Sequence, residues 1–190
     1  MITYQNYIDE IVLGKVSKTL GTSFPNIIHG AIGLATEAGE LSEAFETGDV
    51  VNIKEELGDA LWYITLIFSE TGMALCVYRE RVQTHVRGMR IISQFVPYEA
   101  MYVRRASELL DTVKRGMFYG KGLDIDKLYD QLCKCHALVA AIARDVCECA
   151  MDEIMQLNAD KLRKRYEKHF TATEANSRDL DAERKALENG

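Results

Sequence analysis

Apolar side chains recur along this chain every three or four residues, and no sustained apolar–polar alternation is present. That period predicts helices almost throughout. A first helix is expected over about residues 4–18. Phe24-Pro25-Asn26 reads as a loop, with Asn26 capping a second helix that runs to about Phe45. Thr47-Gly48-Asp49 breaks the pattern. A third helix follows over about residues 51–70 and ends near Gly72. Further segments are expected over about 74–94, 98–116, 125–148 and 150–167, with Pro97 as a midpoint hinge. From Thr171 the chain turns polar and charged, predicting a short surface helix docked through Leu180 and Leu187, or a loose tail. The expected fold class is all-α, a helical bundle.

At 190 residues the chain can form one domain, or two small ones packed together, around a sizeable core. Its 23 basic and 29 acidic residues leave a formal charge of −6, which argues against unspecific binding to a nucleic-acid polymer. No stretch approaches the roughly 20 apolar residues of a membrane helix. The opening residues lack a basic segment followed by an apolar run, so no signal peptide is expected. Five cysteines in no familiar disulfide spacing point to a reducing, cytoplasmic setting. Cys133-Lys-Cys135 and Cys147-Glu-Cys149 could suggest zinc. Residues two apart on a helix point about 200° from each other, so these cysteines read as core fillers. His29, His85, His136 and His169 form no spaced set, and His136 reads as a packing residue.

Two carboxylate pairs carry the candidate chemistry. Glu37 and Glu40 stand three apart on the second helix, Glu56 and Asp59 three apart on the third. Each pair therefore shares one helix face. On the helical wheel both pairs fall beside the apolar arcs, not opposite them. Leu34, Ala38, Leu41 and Phe45 define one arc; Ile53, Leu57, Ala60, Ile64 and Ile67 define the other. Four like charges converging at the edge of a core are costly, and a divalent cation relieves that cost. Oxygen ligands without nearby His or Cys favour Mg²⁺, or Mn²⁺, over zinc. Mg²⁺ keeps positions open for water and substrate phosphates.

The string Gly33-Leu-Ala-Thr-Glu-Ala-Gly-Glu-Leu41, followed by Glu55-Glu-Leu-Gly-Asp-Ala-Leu-Trp-Tyr63, resembles the MazG-type all-α nucleotide pyrophosphohydrolases. The family pattern of ExxE, a gap, then ExxD reads here as Glu37-x-x-Glu40, fifteen residues, Glu56-x-x-Asp59. Thr36 stands where the family usually has a further acid. Downstream, Asn158-Ala-Asp-Lys161-Leu-Arg-Lys-Arg165-Tyr166 is similar to the family's closing helix, NxxKLxxRY. The resemblance implies Mg²⁺-dependent hydrolysis of a nucleoside triphosphate, ribo- or deoxyribo-, to the monophosphate and pyrophosphate. It implies Glu37, Glu40, Glu56 and Asp59 as ligands for one to three ions, with Glu40 and Glu56 as the catalytic pair. It also implies that Asn158, Lys161 and Arg165 reach the substrate's phosphates. Lys54 adjoins the ligand set and is a further candidate for phosphate contact. Trp62 would pack on a partner subunit or stack on a base. The other reading on the same fold is a protein that sequesters or senses a nucleotide without hydrolysing it. The family is common in bacteria and their phages, so the cytoplasm could be that of a host.

The chain also reads as a degenerate tandem duplication, a pseudo-dimer within one polypeptide that leaves room for a homodimer. Ala106-Ser-Glu-Leu-Leu-Asp can be laid on Ala38-Gly-Glu-Leu-Ser-Glu, and Leu128-Tyr-Asp-Gln-Leu-Cys-Lys134 on Ile53-Lys-Glu-Glu-Leu-Gly-Asp59. Glu40 then matches Glu108, while Glu37, Glu56 and Asp59 become Arg105, Gln131 and Lys134. A worn duplication also resembles the related dimeric dUTPases. On this division residues 1–95 hold the metal, 96–170 supply the basic closing helix, and 171–190 form a tail.

Overall fold

The computed structural model describes residues 2–13, 25–92, 96–119 and 122–165. Among these, α1 (Tyr4–Asn6) continues directly into a π-helical stretch (Tyr7–Leu13). Then come α2 (Pro25–Thr47), α3 (Val50–Ser69), α4 (Leu75–Ile92), α5 (Tyr98–Phe118), α6 (Ile125–Asp145) and α7 (Met151–Arg165). No strand occurs among the described residues. The expected end of the first helix, the docking of Leu180 and Leu187, and His169 lie outside them.

Local chemistry sets the boundaries. Gly48 takes the left-handed conformation at φ 67°, which ends α2 at little steric cost. Asp49 then caps α3, its Oδ1 accepting from the N–H groups of Val51 and Asn52 at 3.1 and 3.2 Å. Asp124 caps α6 in the same way, accepting from Lys127 N–H at 3.0 Å. Such caps contribute about 1 kcal/mol each. One boundary differs from expectation. Pro25 is the first residue of α2 rather than part of a loop, a position where its missing N–H leaves nothing unpaired. Asn26 therefore lies inside the first turn, and its side chain donates to Glu70 Oε1 at 2.6 Å instead of capping.

Helices α2 and α3 form one hairpin, α5 and α6 another. The two hairpins meet through α2 on α5 and α3 on α6. The outer helices cross over: α4 packs chiefly on α6, and α7 chiefly on α3. The π-helical stretch lies against α3 and α7. Close contact between α2 and α3 depends on Gly33, where a Cβ would stand 2.3 Å from the Tyr63 ring.

The core runs through α6, which buries Leu128, Leu132, Leu138 and Ile142 completely. Each such side chain contributes about 1.5–3 kcal/mol before conformational entropy is counted. Cys133, Cys135 and Cys147 are buried and free. Burial pushes their thiols up to about 12, which leaves them inert. His136 Nδ1 pairs with the Tyr78 hydroxyl at 2.9 Å. Burial first, then the Arg79 charge, lowers this imidazole to about 4, so it packs as a neutral group. No helix among the described residues is long and apolar enough to cross a membrane.

Candidate metal centre

Helix α2 supplies Glu37, and one turn of α3 supplies Glu56 and Asp59. One carboxylate oxygen from each lies within 4.8 Å of the other two. Glu37 and Glu56 are each only 7% exposed, and Asp59 is half-buried. The Oε2 atoms of both glutamates are buried without a hydrogen-bond partner among the described residues. Two orphaned, hard oxygen acceptors beside a third carboxylate suit a divalent cation with oxygen ligands. Glu40 is exposed and stands outside this triad, at its solvent edge. Its charge still acts on both buried glutamates.

The electrostatics show the strain of this grouping. Burial, then the Asp59 charge and a hydrogen bond to Glu56, raise the Glu37 carboxyl to about 10. Burial also raises Glu56, opposed by its hydrogen bond with Glu37 and reinforced by Asp59 and Glu40, to about 7. Without a cation the pair holds protons that a metal would displace.

Helix α7 braces the triad from behind. Asn158 Nδ2 donates to Asp59 Oδ1 at 2.7 Å, and Lys161 Nζ to Asp59 Oδ2 at 2.5 Å. Lys161 also reaches Glu55 Oε1 at 3.2 Å. This lysine is fully buried. Burial alone would lower its ammonium; Asp59 and Glu55 reverse that and hold it above the ordinary lysine value. Behind Asn158, the buried Tyr7 hydroxyl donates to its Oδ1 at 2.7 Å. The chain Tyr7–Asn158–Asp59 fixes both the amide and the carboxylate, the arrangement that orients ligands from outside a metal's own shell. It needs Gly58: a Cβ there would stand 2.9 Å from Asn158 Cβ.

The decisive comparison concerns the hairpin that carries these acids. Residues 31–75 match the MazG nucleotide pyrophosphohydrolase domain. The MazG match spans most of α2, the Gly48 turn and α3. It contains Glu37, Glu40, Glu56 and Asp59 and points to nucleotide pyrophosphohydrolase activity. No curated protein and no solved structure matches the chain.

The remaining residues anticipated from the sequence take these places. Asn158 and Lys161, expected toward phosphates, both close on Asp59 from α7, which lies beyond the matched residues 31–75. Lys54 pairs with Glu153 of α7 at 2.6 Å. Arg165 is the half-buried last residue of α7. Trp62 is half-buried, its ring edge-on to Tyr63 at 5.0 Å and to His29 at 5.8 Å. Burial lowers the His29 imidazole below its usual value. Sequence reasoning passed over Tyr7 and Glu55. Glu55 adjoins a candidate ligand and could have been weighed. Tyr7 has no sequence signal, because its partner lies 151 residues away.

Proposed function

We propose that this chain hydrolyses a nucleoside triphosphate to the monophosphate and pyrophosphate, using Mg²⁺ or Mn²⁺ held by Glu37, Glu56 and Asp59, with Glu40 alongside. The observation that carries this reading is the buried triad itself, three carboxylates with two unpartnered oxygens inside the MazG-matched segment. A divalent cation bound there would neutralise phosphate charge and acidify a bound water. The protein's own groups do the rest. Asn158 and Lys161 hold Asp59 in one orientation, so its carboxylate is not free to swing toward Glu37. Glu40 makes no hydrogen bond among the described residues and is open to solvent. In this reading Glu40 takes a proton from the attacking water as it closes on the α-phosphorus. In this reading Arg165, at the end of α7, meets the phosphates that leave as pyrophosphate. The compartment read from the sequence remains the cytoplasm.

The test is pyrophosphate release over a panel of ribo- and deoxyribonucleoside triphosphates, with Mg²⁺ and with chelator, beside Glu56→Gln. The glutamine keeps the shape and removes the charge. Metal-dependent release that falls at least a hundredfold in the variant is expected, on the order of a lost catalytic acid or base. Undiminished release in Glu56→Gln would remove Glu56 from the centre. Thermal stabilisation by a nucleotide without release would establish the sequestering reading instead.

A further inference from the structure

We propose that Trp62, Tyr63 and His29 form a base subsite beside the acidic triad, where a nucleobase stacks on the Trp62 indole; this rests on the reading of that centre as one that takes nucleotide phosphates. The helical register gives the placement. Trp62 and Tyr63 follow Asp59 by three and four residues, so both rings stand one turn, about 6 Å, along α3 from the acid. On α2, Gly33 precedes Glu37 by one turn and His29 precedes it by two. The Tyr63 ring lies over Gly33, where a Cβ would meet it at 2.3 Å. His29, Gly33, Thr36 and Glu40 step along one stripe of α2. The rings therefore stand at one end of the acid-bearing face of the hairpin, and the carboxylates follow within two turns. That separation is the span of the one sugar that joins a base to its α-phosphate.

Ring geometry and an orphaned donor set this cluster apart from ordinary packing. Trp62 stands edge-on to Tyr63 with centroids 5.0 Å apart, and His29 stands edge-on to Trp62 at 5.8 Å and to Tyr63 at 5.5 Å. All three residues are half-buried, so part of each still meets solvent. Among the described residues Trp62 has no face-to-face aromatic partner. Its Nε1 is buried without an acceptor. A buried indole N–H ordinarily finds one, and leaving it unpaired is costly. A phenylalanine would pack in the same place without that cost, so packing alone does not account for an indole here. What the indole adds is a broad π-face, and every base has a π-face to lay against it. His29 makes no hydrogen bond among the described residues. Burial keeps its imidazole neutral, which leaves one ring nitrogen as a donor and one as an acceptor for the edge of a base.

Trp62 is the chain's one tryptophan, so tryptophan fluorescence reports this subsite alone. The full chain in Mg²⁺ is titrated with α,β-methylene nucleoside triphosphates, which cannot be cleaved between the α- and β-phosphates, and with inorganic tripolyphosphate. Saturable quenching by the analogues and none by tripolyphosphate is expected. In calorimetry Trp62→Ala should weaken the analogues roughly tenfold, as loss of one stacked base predicts, and leave Mg²⁺ and tripolyphosphate binding as they were. Trp62→Phe should keep most of the analogue affinity. No analogue binding, analogue binding without a change in fluorescence, equal quenching by tripolyphosphate, or equal weakening of both ligands in Trp62→Ala would overturn the subsite. So would fluorescence that changes with protein concentration and not with nucleotide, the mark of a second copy covering Trp62. Cleavage is scored separately. Parent triphosphates hydrolysed without quenching by the analogues would leave hydrolysis standing and remove the subsite, whereas quenching without hydrolysis would keep the subsite and remove hydrolysis.

Discussion

A carboxyl raised to about 10 beside one raised to about 7 turns cation binding into proton exchange. At pH 7 Glu37 carries its proton and Glu56 is about half protonated, so each binding event should release about one to two protons. Calorimetric titration of Mg²⁺ in buffers of different ionisation enthalpy measures that number directly. Apparent affinity should rise between pH 6 and 8; a flat profile would mean that these glutamates are not ligands. The metal-free protein has the opposite dependence. Both folded values lie above the unfolded carboxyl value, so their contribution is fully present below that value and is lost as pH rises through about 7 and then about 10. Urea midpoints in chelator should therefore fall across that range. A second residue-scale prediction concerns Lys161. Replacing it by Met leaves Asp59 and Glu55 facing each other without their buried cation, and should destabilise the fold by about 3 kcal/mol. An unchanged urea midpoint would show that the pair contributes nothing. Much of this candidate centre was legible in the sequence. The helical wheel brought Glu37, Glu56 and Asp59 to a core edge, because the 3.6-residue period is a local property. It could not separate exposed Glu40 from the buried three, because that depends on what packs over each turn.

The contact of α7 with α3 hinges on a missing side chain. Gly58→Ala would drive a Cβ into Asn158 and push α7 outward. Stability should fall by about 1–3 kcal/mol, and Mg²⁺-dependent turnover should fall with it as Asp59 loses its two donors. Gly39 is the control. It lies in α2, and a Cβ added there would meet nothing within 4 Å, so Gly39→Ala should stabilise by up to about 1 kcal/mol through helix propensity. Thermal melts of the two variants that moved together would contradict this account. Helix limits were readable wherever a residue dictates its own backbone, as at Gly48, Asp49 and Pro97. Pro25 was misplaced because proline suits both a loop and a first helical turn. The π-helical stretch had no sequence signature, since its extra residue per turn answers to packing against α3 and α7.

Across the whole molecule, each hairpin is completed by the last helix of the other half. Residues 1–95 alone would keep α2 and α3 but lose α7, uncovering the face of α3 at Gly58 and leaving α4 without α6. That fragment should be unfolded or self-associated by circular dichroism and gel filtration, and co-expression with residues 96–190 should restore a folded, Mg²⁺-stabilised pair. A monomeric, fully helical fragment would contradict the crossed arrangement. Matched strings in the sequence suggested two related halves, but the crossing of their outer helices was not legible there. Periodicity says which face of a helix is apolar and not which helix will cover it.

The crossing also has a consequence in time. Asp59 and Lys161 are separated by 102 residues, and at about 5–20 residues per second the ribosome needs roughly 5 to 20 seconds between them. Throughout that interval the nascent acidic hairpin lacks its lysine and asparagine. The bracing of the candidate centre is thus withheld until α7 has been made, and a chain broken off before α7 would carry every acid of the centre without the lysine and asparagine that hold Asp59.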